Sequence, residues 1–126
     1  MRNWMLLCLT SFPLLAGQVT IEDVVFTPGA SRSWNVAVTL RHQDSGWQHY
    51  ADRWRVVDAQ GTVLGERILH HPHVEEQPFT RSLRGVTIPR HLRVVYIEAH
   101  DKQHGWSAQK VSVELDHSQR VAKRLP

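Results

Sequence analysis

Nine histidines occur in a chain of 126 residues, and their spacing says more about chemistry than their number. In His71-Pro72-His73 the residue before proline is held extended, and side chains two apart on extended backbone point to the same side. Two imidazoles then come within reach of one cation, while His70 points away. Neutral imidazole is the commonest nitrogen ligand and suits zinc or copper. Asp44, Glu75 or Asp101 can add an oxygen. No HExxH or closed four-ligand spacing accompanies them. The competing role for histidines in loops is hydrogen bonding to loop carbonyls.

Strands must position these side chains. From Gln18 onward the apolar pattern has period two, interrupted every eight to twelve residues by turn chemistry, which predicts an all-β sandwich or barrel. The first strand runs from Val19 to about Phe26 and stops at Pro28-Gly29. The second places Trp34, Val36, Val38 and Leu40 on its inward face. The third covers Tyr50 to Asp58, and Asp58-Ala59-Gln60-Gly61 turns it into a fourth, which ends at His70-His71-Pro72. Phe79 to Ile88, Leu92 to Ala99 and Lys110 to Leu115 complete the set. The sixth strand is apolar on both faces at Val94-Val95-Tyr96-Ile97, as for a central strand. Trp34 and Trp54 belong to the core. Seven antiparallel strands predict an immunoglobulin-like or fibronectin type III-like sandwich over 18–115, with a small Greek-key barrel as the alternative. Residues 116–126 read as a flexible basic tail.

If the strands alternate up and down, the loops after the second, fourth and sixth share one end. Seven of the nine histidines fall there, at 42, 49, 70, 71, 73, 100 and 104. The candidate metal set is His42, His71, His73, His100, Asp101 and His104, for copper or zinc. The second strand's even-numbered inward set predicts that His42 continues that face at the rim. Parity leaves open whether His100 or Asp101 turns inward. Trp47, His49, Tyr50 and Trp106 form a candidate contact surface for a protein partner in the cell envelope. Two of these loops are alike, His42 to Gly46-Trp47 and His100 to Gly105-Trp106, each returning through Gly-Trp. Glu75 and Glu76 stand close enough in sequence to Arg81 to form a carboxylate clamp on the loop that crosses between sheets.

The amino terminus carries an address. Arg2 precedes an apolar stretch of eleven residues, Met5 to Leu15, followed by small residues, the layout of a secretory signal with cleavage after Ala16 or Gly17. The stretch is shorter than the ~20 residues that span a bilayer. Cys8, preceded by Leu7, lacks the small-residue setting of a lipoprotein cysteine. Removing 1–17 removes the only cysteine and leaves a periplasmic or secreted domain with neither disulfide nor membrane segment. A net charge of +3 without a basic stripe argues against nucleic acid. Ser45 and Ser82 have no nucleophile-elbow context, and no phosphate-binding glycine loop is present, so a binding module is expected and not an enzyme.

The segment His71-Pro72-His73-Val74-Glu75-Glu76-Gln77-Pro78-Phe79-Thr80-Arg81-Ser82, with Asp52-Arg53-Trp54 ahead of it, resembles a group of small uncharacterised secreted bacterial proteins. The resemblance implies export and one compact domain. It implies no site residue.

Overall fold

A computed structural model describes residues 17–126, so Cys8 and the expected signal peptide, apart from Gly17, lie outside the described residues. The strands are β1 (Thr20–Pro28), β2 (Ser33–Arg41), β3 (Ala51–Val57), β4 (Val63–Ile68), β5 (Phe79–Thr87), β6 (Val94–Asp101), β7 (Gly105–Trp106), β8 (Val111–Glu114) and β9 (Val121–Arg124). They form two antiparallel sheets. One has the order β5-β2-β1-β9; the other is β4-β3-β6, with β7 and β8 both on the remaining edge of β6.

Strict alternation builds the first sheet: Trp34, Val36, Val38 and Leu40 of β2 are all buried, as their even spacing predicts. A register shift in β1 between Ile21 and Asp23 lets Ile21 and Val24, three apart, both face inward. Trp54, Val56, Val95, Ile97 and Ala99 answer from the other sheet, with Phe26 edge-on to Trp34 at 6.2 Å.

Two expectations are corrected. The described residues hold nine strands, not seven. β6 is a central strand as expected, between β3 on one edge and β7 and β8 on the other; it alternates half-buried and buried residues and runs on to Asp101. Residues 116–126 are not a structureless tail: β9 pairs with β1 from Phe26↔Val121 to Asp23↔Arg124. Without β9 the outer edge of β1 would present unpaired backbone groups, and the tail supplies their partners. His117 Nε2 donates to Leu92 O at 2.8 Å, and Leu125 N donates to Glu22 O at 2.9 Å.

The break between β7 and β8 leaves an edge that side chains close. Ala108 N donates to Gln18 Oε1, while the Gln109 amide accepts from Ile21 N at 2.7 Å and donates to Ile21 O at 3.1 Å. The interrupted edge thereby fastens the start of the domain beside the ends of β2 and β6.

Candidate functional site

The loops after β2, β4 and β6 do meet at one end, and the end is built around two buried carboxylates. His42 follows β2 and keeps its inward parity; it is 3% exposed. Asp44 is the hub of the loop beyond it. Its Oδ1 accepts from His42 Nδ1 and from Ala51 N at 3.0 Å, and its Oδ2 accepts from His73 N at 2.7 Å. Gln77 ties the same loops together: its Oε1 accepts from His42 N, and its Nε2 donates to His73 O.

Parity on β6 resolves in favour of Asp101, which is fully buried. Its Oδ1 accepts from Gln103 N and His104 N at 2.8 and 2.7 Å, so the carboxylate is held by the turn behind it. A bridge between Gly46 and His49, with Gly46 at φ +145°, folds the β2–β3 loop back over this end. The result is a group of three donors: one ligand atom each from His42, His49 and Asp101, all within 4.8 Å of one another. His49 Nε2 lies 3.5 Å from Asp101 Oδ1, and His42 Nε2 lies 3.9 Å from Asp101 Oδ2. His104 flanks the group, with Nδ1 3.2 Å from Asp101 Oδ1 and its ring 5.0 Å from that of His49.

Two atoms of the group are unsatisfied. His49 Nε2 and Asp101 Oδ2 are buried with no hydrogen-bond partner among the described residues. Buried polar atoms are rarely left so, because each gives up hydration without a replacement. His42 is in a different state. Its Nδ1 donates to Asp44 and its Nε2 donates to the carbonyl of Gly17 at 2.8 Å, so both nitrogens carry hydrogen. Burial alone pulls the His42 pKa down; the hydrogen bonds to Asp44 and Gly17 and the charges of Asp44 and Asp101 outweigh it and hold it above the ordinary value. Burial would raise Asp44, but hydrogen bonds from His42, His73 N and Ala51 N hold it below the usual carboxylate range.

The other expected ligands are placed elsewhere, and those assignments are corrected. His71 and His73 do lie side by side, rings 4.5 Å apart, but the Arg81 guanidinium donates to His73 Nε2 at 3.0 Å. That nitrogen is thus occupied, and the His73 Nδ1 is buried without a hydrogen-bond partner among the described residues, 4.0 Å from Asp44 Oδ2 and outside the group of three donors. The His73 ring stacks on Phe79 at 4.0 Å, and Arg81 also reaches Glu76 at 3.2 Å, which is the expected clamp. His100 turns outward, donating to Asp52 at 2.6 Å beneath the edge of Trp106. Of the expected contact surface, Trp47 is 67% exposed, whereas Tyr50 is buried and Trp106 lies half-buried under the Arg55 guanidinium. His49, expected in that surface, joins the donors. The Gly46-Trp47 return was the sequence signal for a loop that doubles back.

His73 makes a pH prediction. Burial, then Arg81 and His71, depress its pKa below the unfolded value of about 6.5. As pH falls below that value the unfolded chain takes up a proton that the folded His73 still refuses, so stability is full above it and is lost on acidification. Melting temperature between pH 7.5 and 5 should fall more for the wild type than for His73→Gln. Parallel curves would refute the assignment. His42, whose pKa is raised, acts with the opposite sign in both proteins and cancels in the comparison.

Set against known proteins, the chain is 34% identical over 99 residues to a "Putative lipoprotein" of Halomicrobium mukohataei. The match takes in 79% of this chain and 48% of the relative, so the chain spans about half the length of the curated relative it matches. No family model matches, and no solved structure matches. Among the described residues no helix is long and apolar enough to cross a membrane.

Proposed function

We propose that this is an exported binding module, not an enzyme, whose working site holds a copper or zinc ion between His42, His49 and Asp101, with His104 alongside. The observation that carries the reading is the pair of buried, unpartnered atoms, His49 Nε2 and Asp101 Oδ2, on two of three residues whose ligand atoms lie within 4.8 Å of one another. A cation there satisfies both at once. Two imidazoles and one carboxylate leave a coordination position open on a tetrahedral ion. The Asp44–His42 hydrogen bond has the form that orients a ligand histidine, with the carboxylate holding the nitrogen away from the metal. Export is supported by the amino-terminal pattern and by the likeness to a lipoprotein. The three-plus-four division of β1, β2 and β5 against β3, β4, β6 and β8 supports the fibronectin type III-like reading, with β7 and β9 as additions.

Titration calorimetry with Cu²⁺ and with Zn²⁺ at pH 7.5 tests the site. One ion should bind per chain at micromolar concentration or tighter, and His49→Ala should remove that binding. Binding only at millimolar concentration, or unchanged in His49→Ala, overturns the reading. A second reading, contact with a protein of the cell envelope, draws on the exposed Trp47 and Val74, 67% and 55% accessible. Crosslinking to a partner that is lost in Trp47→Ala and unaffected by chelator would favour it.

A further inference from the structure

Gly17, the first described residue, sits against the donor group, in contact with both His42 and His104. Its carbonyl oxygen is 2.8 Å from His42 Nε2, the atom that would bind the ion. Its α-carbon packs so tightly on His104 that a Cβ there would stand 2.6 Å from the ring carbon Cε1, and its φ is +88°. The positive φ favours glycine here, and any larger side chain would have to displace the His104 ring. The placement is enforced from two sides. Gln18 accepts from Ala108 N at 2.9 Å, and Ser107 Oγ donates to Val19 O at 2.8 Å. The segment leading into β1 is therefore anchored where it crosses the site.

When His42 Nε2 gives up its proton to bind an ion, the Gly17 carbonyl loses its donor, and the ion is the positive centre left in its reach. Gly17 is also one of the two positions at which export processing is expected to begin the mature chain. We infer that Gly17 completes the metal site: hydrolysis of the Ala16–Gly17 bond frees an α-amine which, with the carbonyl of the same residue, closes a five-membered N,O-chelate on the ion held by His42, His49 and Asp101. In that hydrolysis by an export peptidase one water is consumed, its hydroxyl joining the Ala16 carbonyl carbon and its hydrogen the Gly17 nitrogen. The inference rests on the metal reading above and deepens it: the site would mature only when the protein is exported.

The test starts from the full chain expressed in an exporting bacterium. Intact mass of the recovered protein should place its amino terminus at Gly17. A terminus at Gln18, or a lipid-modified Cys8, overturns the inference. The recovered protein is then titrated with Cu²⁺ before and after acetylation of its α-amine at pH 6.5, where that amine reacts ahead of lysine. Acetylation should weaken Cu²⁺ binding at least ~10-fold through loss of the chelate's effective concentration. Electron paramagnetic resonance should count one coordinated nitrogen fewer. Equal affinity and nitrogen count, with binding still lost in His49→Ala, would overturn the role of Gly17 and leave the cluster standing. Absence of Cu²⁺ binding in every form would overturn both.

Discussion

Asp44→Ala should lower the melting temperature by on the order of 15 °C, the largest stability loss expected from any single polar change at this end of the domain. The carboxylate is fully buried and holds His42, Ala51 N and His73 N at once. Truncating one partner of a buried charge pair costs roughly 3–5 kcal/mol, because the remaining groups stay desolvated without partners. In a domain of this size, just over a hundred residues, each kcal/mol moves the midpoint by about 4 °C. The loss should shrink on acidification: protonating Asp44 breaks the same contacts in the wild type, and its depressed pKa means the stabilisation is present above the unfolded value and lost as pH falls through the folded one. Thermal melts followed by circular dichroism at pH 7 and pH 3 check both statements. A change of less than a few degrees at pH 7 would show that Asp44 does not hold the loops together.

Asp101→Asn should separate binding from folding. The amide oxygen, in the place of Oδ1, can still accept from Gln103 N and His104 N, and the new NH₂ replaces Oδ2, which has no hydrogen-bond partner among the described residues. The metal-free variant should therefore melt within a few degrees of the wild type. Its affinity for Zn²⁺ should fall by ~100-fold or more, since losing a group behind a ligand already costs 10–100-fold and here an anionic ligand itself is lost. Calorimetric titration and metal-free melts give the two numbers. Retained affinity would place the ion elsewhere. A protein that fails to fold would show that Asp101 is held for structure, and His49→Ala would then carry the test of binding.

The alternation of Trp34, Val36, Val38 and Leu40 was enough to specify an all-β chain and the inward direction of His42, because the pleat repeats every two residues whatever surrounds it. Strand order along the chain was enough to gather three histidine-bearing loops at one end. The His71/His73 pair shows the limit of that logic: extended backbone does set the two rings side by side, yet the guanidinium that occupies His73 comes from β5, eight residues on.

Everything legible in the order of residues is local and periodic: the strands, their inward faces, the end at which the histidines collect, and the signal-like amino terminus. Which donors converge was decided by tertiary structure alone. Asp101 is preferred to His100 because the run of β6 to its end continues the parity of Val95, Ile97 and Ala99, which the apolar residues on both faces had obscured. His49 enters because the Gly46–His49 bridge turns the loop back, the expected His104 is held on Asp101 by the turn that follows β6, and Gly17 enters because Gln109 fastens the start of β1 to a segment far along the chain. The tail becomes β9 because β1 needs a neighbour for its outer edge. The pairing of β9 and the seating of Gly17 are set by satisfying backbone and buried polar groups across distant segments, a requirement that exists only once the chain has closed around them.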